Sequence, residues 1–290
     1  VSITTLSIEL LNQYREKTFR TTASTRLKTP QQALDFVNER GFIFFWPVKG
    51  VNMPSLWCGV AGDRPVADAH DDPGHTSWGW KDQMLDKRVW YYGRILRKRN
   101  TIISLKTAPY FYALSPNFGE PELEISDQYH AGQIPLEVKL VFEALLEKGP
   151  LDSIALRREA HLTGPRSNSP FNRALDILQR DFKVMPTAIA EVGTWKYAFV
   201  YDLTHRYHPD LLEQSRFISE NQARDHLVTC YFKSVGAASE KQVQSLFGWT
   251  QLEAQKSIYR LIEKGLLTND IKITDEPLNM VCLTSFLSNF

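Results

Sequence analysis

Residues 136–201 read LEVKLVFEALLEKGPLDSIALRREAHLTGPRSNSPFNRALDILQRDFKVMPTAIAEVGTWKYAFVY. Leu136, Leu140, Val141, Ala144 and Leu145 recur at helical spacing, and Gly149-Pro150 stops the run. Asp152 or Ser153 caps a short second helix that ends near His161. Ser169-Pro170 opens a third helix, with proline where a helix needs no donor. Phe171, Ala174, Leu175, Leu178 and Phe182 line one face of it, while Arg173, Asp176, Gln179 and Arg180 lie mostly outward. Lys183–Ala190 and Trp195–Tyr201 predict two strands joined at Glu191-Val192-Gly193-Thr194. Three helices followed by a β-hairpin make the winged-helix pattern, whose third helix commonly enters a DNA groove while the hairpin flanks the backbone.

Downstream the layout recurs. Glu220–Ser234 predicts a helix and Gly236-Ala237-Ala238 a turn. Ser239 caps a short helix to Phe247, closed by Gly248, and Thr250 caps a third helix that Gly265 closes. Leu266–Ile273 and Asn279–Leu283 pair as a second wing. The repeat is one of architecture, not of sequence. Between the two units, Thr204–Ser215 reads as a polar connector.

Upstream, Ile3–Phe19 predicts a helix, Arg20–Lys28 a polar and basic loop, and Pro30 starts a helix that Gly41 ends. Phe42–Val48 is a short aromatic run that suits a buried strand. Residues 50–75 carry Pro54, Gly59, Gly62, Pro65, Pro73 and Gly74, so they are loop with one short helix around Ser55–Val60. Asp63, Asp68, Asp71 and Asp72 gather there with His70 and His75. These are available metal ligands or acid/base groups, but the spacing matches no zinc motif, and capping aspartates in a polar loop give the same composition. From Trp78 to Tyr112, aromatic residues alternate with Lys81, Lys87, Arg88, Arg94, Arg97, Lys98 and Arg99. Leu85, Val89, Tyr92 and Leu96 fit one helical face, with Lys87, Arg94 and Lys98 on another as a phosphate-neutralising ridge. Thr101–Leu105 then predicts a strand, and Ser115–Pro135 a linker. With Phe42–Val48 and Thr101–Leu105 as strands, the first part holds a third unit.

The expected fold is therefore α+β and helix-rich, built of tandem winged-helix modules: 1–120 with an aromatic and acidic loop insertion, 121–205, and 206–290. The chain has 290 residues, 43% hydrophobic and 23% charged, an ordinary globular composition. No apolar run reaches the length of a membrane span, and the N-terminus lacks a secretory signal's layout. Cys58, Cys230 and Cys282 are far apart and form no zinc pairing, which points to a reduced, cytoplasmic protein. The net charge is only +1, so a nucleic-acid surface must come from local segregation of charge.

The residues carry a family resemblance. Arg157-Arg158-Glu159-Ala160-His161-Leu162-Thr163-Gly164, Phe171…Ala174-Leu175…Leu178-Gln179 and Trp195…Tyr197-Ala198-Phe199 resemble the central winged helix of a bacterial DNA glycosylase superfamily. Members of that superfamily include the azinomycin-resistance enzyme that unhooks interstrand crosslinks. Tyr231-Phe232…Gly236-Ala237-Ala238-Ser239, ending in Gly248-Trp249, is similar to the family's last unit, and Arg97–Leu105 to its basic turn before a strand. The resemblance implies three tandem winged helices around a concave basic channel. It also implies metal-free and cofactor-free hydrolysis of the N-glycosidic bond of an alkylated base. In the family a glutamine, followed two residues on by glutamine or aspartate, projects from the strand after a glycine-terminated helix. Here that strand is Gly41–Pro47 and the matching positions are Phe44 and Trp46, which cannot hold or deprotonate a water. The chain thus reads as a divergent member without the usual catalytic pair.

The expected function is binding of double-stranded, damaged DNA by a monomer, away from any membrane. Lys87, Arg94, Arg97, Lys98 and Arg99 would hold phosphates, and Arg173, Gln179 and Arg180 would face DNA from the central unit. Trp46, Trp78 and Trp80 are the base-stacking candidates. One alternative is an active hydrolase that uses Asp63, Asp71, Asp72 and His75 from the loop after the strand. The other is a ligand-responsive transcription regulator.

Overall fold

The structure is a computed structural model that describes residues 5–117, 121–274 and 279–288. It begins with β1 (Thr5–Leu6) and α1 (Ile8–Thr18), capped by Ser7. The first winged helix follows: α2 (Pro30–Arg40), β2 (Phe42–Phe44), α3 (Leu56–Ala61), α4 (Thr76–Leu85), β3 (Trp90–Arg94) and β4 (Asn100–Ser104). Thr29 caps α2 and Gly41 ends it at φ +81°, a conformation that side chains resist. A Cβ on Gly41 would also meet Cys230 Sγ at 2.9 Å, so the position fixes both the turn and the approach of the C-terminal unit.

After α5 (Ala108–Tyr112) and α6 (Pro121–His130) comes the second winged helix: α7 (Leu136–Lys148), β5 (Leu151–Asp152), α8 (Ser153–Glu159), α9 (Asn168–Arg180), β6 (Val184–Ala190) and β7 (Ala198–Leu203). Two short helices, α10 (Thr204–Tyr207) and α11 (Asp210–Ser215), lead to the third: α12 (Glu220–Val235), β8 (Ala237–Ala238), α13 (Glu240–Phe247), α14 (Gln251–Glu263), β9 (Leu267–Ile273) and β10 (Met280–Leu283). The chain is described to the end of α15 (Thr284–Leu287). Ser219, Ser239 and Thr250 each close a capping box at the helix they open, which explains why this part was legible in sequence.

Among the described residues three sheets repeat one order: short strand, second hairpin strand, first hairpin strand. They are β2-β4-β3, β5-β7-β6 and β8-β10-β9, the last extended by β1 pairing parallel to β9. The fold is thus α+β with tandem winged-helix units. The first strand and helix pack with the C-terminal unit: Leu6 and Leu11 share a core with Tyr231, Phe232 and Val235. The central unit has its own core around Val138, Phe142, Leu178 and Leu203.

Several expectations are corrected. No helix spans residues 85–98. Trp90-Tyr91-Tyr92 is buried on both faces in a strand, and Arg97 and Lys98 take positive φ, so Lys87, Arg94 and Lys98 share no helical ridge. β-pairing of aromatic residues outweighs an accidental helical spacing. Strand β2 stops at Phe44; Phe45 N–H still donates to Asn100 O at 2.8 Å, and Pro47 follows. The expected linker 115–135 contains α6, whose Ile125 is buried in the central core. The connector 204–215 is helical, with Tyr207 and Leu211 buried. Residues 3 and 4 of the first expected helix lie outside the described residues, and Thr5–Leu6 is strand. Among the described residues no helix is long and apolar enough to cross a membrane.

Candidate nucleic-acid interface

The wing of the first unit ends in the turn Ile95–Arg99. Its fold is local: Arg99 N–H donates to Leu96 O at 2.8 Å, and Thr101 Oγ1 donates to Arg99 O at 2.9 Å. Leu96 is buried beneath, and Arg97 (φ 53°) and Lys98 (φ 57°) turn the chain sharply. Arg97, Lys98 and Arg99 are left exposed at one tip.

That tip stands between two clefts. One, of about 460 Å³, is lined by Trp46, Lys49, Arg94, Lys98, Arg99 and Asp176, among others, and lies between the first wing and the central unit. The other, of about 250 Å³, is lined by Asn52, Arg97, Lys241, Gln242 and Ser245, among others, and lies between the first wing and the C-terminal unit. Val48 and Lys49 line the larger cleft and Gly50, Val51 and Asn52 the smaller, and the wing turn gives Lys98 and Arg99 to one and Arg97 to the other. The two clefts thus flank one cationic turn and together form a trough with lining from all three units. Net charge is almost zero, and segregation of this kind is what an anionic partner requires.

The central unit closes the larger cleft through α9. Arg94 Nη1 donates to Asp176 Oδ1 at 2.6 Å, and Arg94 N–H donates to Gln179 Oε1 at 3.1 Å. Gln179 is 2% exposed and its Nε2 donates to Leu175 O. The expectation that Gln179 faces DNA is thereby corrected: its amide is used to join two units. Arg173 is exposed on α9 and Arg180 is bound to Asp181 at 2.7 Å; neither lines the clefts. Lys87 is exposed before β3, at the strand end away from the tip.

Trp46 belongs to a cluster of rings that meet it edge-on or tilted. Its ring lies 4.4 Å from Phe45, 5.3 Å from Trp57, 5.9 Å from Trp78 and 6.0 Å from His75, centroid to centroid. Trp46 is half-buried and lines the larger cleft, while Trp78 is 38% exposed. Trp80 is buried in the first unit's core beside Phe36 and Trp90, so its base-stacking role is corrected to packing. Phe44 is fully buried against the C-terminal unit's core.

Behind Trp78 sits Lys81, 1% exposed. Its Nζ lies 2.6 Å from Asp82 Oδ1 and donates to Tyr197 Oη at 2.7 Å. The rings of Phe45, Trp78, Tyr92, Tyr197 and Phe199 surround it. Tyr197 Oη also accepts from Trp78 Nε1 and donates to Asp82 Oδ1. Burial pulls the Lys81 ammonium below the usual lysine range and pushes the Tyr197 phenol up. This network ties the central wing to α4.

The acidic loop meets Trp46 through the ring of His75 and contributes no lining to either cleft. Asp63 and Asp71 are exposed. Asp72 accepts from Arg64 and from Gly74 N–H, contacts that hold its carboxyl below the usual range. His75 Nε2 is 3.0 Å from Ala67 O. Among the described residues, no group of three or more His, Cys, Asp and Glu side chains is gathered to hold a metal. Sequence reasoning missed Lys49, Asn100 and Lys241 as trough residues and Lys81 and Tyr197 as a junction. Only Lys49, three residues past Trp46, carried a positional signal.

The profile of the AlkZ-related family matches residues 27–248. The chain belongs to the AlkZ-related family. Among solved structures, the Streptomyces sahachiroi DNA glycosylase AlkZ is similar, with a TM-score of 0.60 at 12% identity. The match covers 98% of this chain and 72% of that one, and at such low identity it is a likeness of fold. No curated protein matches the sequence. In this AlkZ-related chain the two positions matched to the expected glutamine and its glutamine-or-aspartate partner are a core phenylalanine at the end of β2 and a cleft-lining tryptophan just past it.

Proposed function

We propose that this AlkZ-related protein binds double-stranded DNA along the trough and recognises damaged bases, in the manner of a glycosylase-like repair factor. One observation carries the reading: Lys49, Arg94, Lys98 and Arg99 converge on the cleft that Trp46 lines, with Arg97 and Lys241 continuing the charge into the next. Cations gathered on one surface neutralise phosphates and release counterions. An indole between them offers a face on which a displaced base stacks, and a weakened base pair is displaced more readily than an intact one. Phe44 and Trp46 have no group that holds or deprotonates a water, so this reading assigns them no hydrolytic step.

A second reading has one observation in its favour. Asp176 is the carboxylate that lines the larger cleft. For an alkylated, cationic base, a water oxygen would bond to the sugar C1′ while the N-glycosidic bond breaks. Its electron pair would leave with the base and cancel the base's charge, and Asp176 would take the water's proton.

The test is anisotropy binding of a duplex with and without an alkylated base, across a salt series. The lesion should bind more tightly. The triple variant K49E/K98E/R99E should lower the slope of log affinity against log salt by roughly 2–3, about 0.9 for each lost phosphate contact. Equal affinity for intact and damaged duplex would remove damage recognition. An unchanged salt slope would remove the trough.

A further inference from the structure

Helix α14 is the third helix of the C-terminal unit, and its outward stripe is unlike a DNA-reading surface. Leu252 is 59% exposed and Tyr259 54%, with Leu266 just beyond the helix at 44%. Lys256 and Glu263 are exposed between and beside them. At 100° per residue, Leu252, Lys256, Tyr259 and Glu263 fall within an arc of about 60°. None of them lines either cleft. Among the described residues neither Lys256 nor Glu263 has an ion-pair partner, whereas their neighbours Arg260 and Lys264 are both engaged by Asp225.

We propose that this stripe is the contact through which two copies of the chain pair. The order of the residues is self-complementary under a two-fold axis. When two α14 helices lie antiparallel with the axis beside Tyr259, the two Tyr259 rings meet. Lys256 then falls beside Glu263 of the second copy, twice, and Leu252 reaches Leu266 of the second copy. Each pair sums to nearly the same register, which is the condition for an isologous interface. The stripe's one cation and one anion cancel, so it offers nothing to a polyanion, while a DNA-facing helix would collect cations. A second copy satisfies both charges and covers the apolar residues. One helix pair lies at the small end of interface sizes, so the pairing is concentration-dependent. It leaves both clefts open, and it does not depend on the DNA reading.

Sedimentation velocity across a concentration series tests this on the full chain. The mass should rise from that of a 33.3 kDa chain toward twice that value. K256E and E263K should each remain single chains, since each variant sets like charges face to face. An equimolar mixture of the two should associate again, because every cross-pair is then of opposite sign. Y259C, on the axis, should form an intermolecular disulfide under mild oxidation, and K256E/Y259C should form far less. A mass that never rises, or association untouched by either reversal, overturns the proposal. So does a loss of duplex affinity in K256E with the mass of one chain throughout, which would make α14 a DNA contact.

Discussion

Arg94 of the first wing and Asp176 of α9 are joined at 2.6 Å, and the same arginine's N–H is held by Gln179. A carboxylate from one winged helix therefore sits inside the cationic cleft of another. Both partners are part-exposed, 37% and 25%, so the pair itself contributes on the order of 1 kcal/mol or less to stability. Its larger effect is on the field in the cleft. Asp176→Asn should tighten duplex binding several-fold and steepen its salt dependence, because Arg94 is released to a phosphate. Any base release seen with the wild type should be lost in the same variant. Weaker binding by D176N would show that the carboxylate organises the cleft more than it opposes DNA.

Phe44 and Trp46 differ in what a glutamine would meet. Phe44 is 1% exposed in the core shared with Tyr231 and Leu246. Phe44→Gln removes a packed ring and buries an amide, at about 3–5 kcal/mol. Trp46 is half-buried and faces the cleft, so Trp46→Gln should cost about 1–2 kcal/mol. Denaturant unfolding of both variants measures the contrast, and equal costs would show that Trp46 is packed as firmly as Phe44. Trp46→Ala should weaken binding to damaged DNA by about 1–3 kcal/mol, one stacked base's worth.

Tyr197→Phe takes one acceptor from a buried ammonium and one donor from Asp82. The expected loss is about 1–3 kcal/mol. Lys81→Met in that background removes the charge that was left under-satisfied while filling the same aromatic space. The double variant should therefore be less destabilised than the two single losses combined, as thermal melts of the four proteins would read. Additive losses would show that the residues do not act as one junction.

His208 sets an acid limit. Burial, and then the charge of Arg88, pull its pKa from 6.5 to about 4, and its Nε2 is buried without a hydrogen-bond partner among the described residues. Above 6.5 the ring is neutral in both states and its contribution is whole. Between 6.5 and about 4 the unfolded chain binds a proton that the folded chain refuses, so stability falls with pH. The loss is complete below about 4 and amounts to about 3 kcal/mol. Urea unfolding at pH 7 and 4.5 should show His208→Gln losing less stability on acidification than the parent. An identical loss would mean that the imidazole titrates normally.

The sequence by itself determined the helices and wings of the central and C-terminal units. Capping boxes at Ser239 and Thr250, apolar spacing along α9 and the turn before β7 are local signals, set within a few residues of one another. It also located the cations at Arg97–Arg99 and the aromatic substitutions at Phe44 and Trp46. Tertiary structure decided what those residues serve. Nothing periodic shows that Gln179 meets Arg94 across 85 residues, that Thr5 pairs with Lys272, or that Trp80 turns inward while Trp46 faces a cleft. Trp90-Tyr91-Tyr92 became strand because a partner at Ile102–Ser104 was available to take its hydrogen bonds, a contact the helical spacing could not reveal. Side-chain type and spacing record local backbone preference, whereas the shared trough arises from packing between units far apart in the chain.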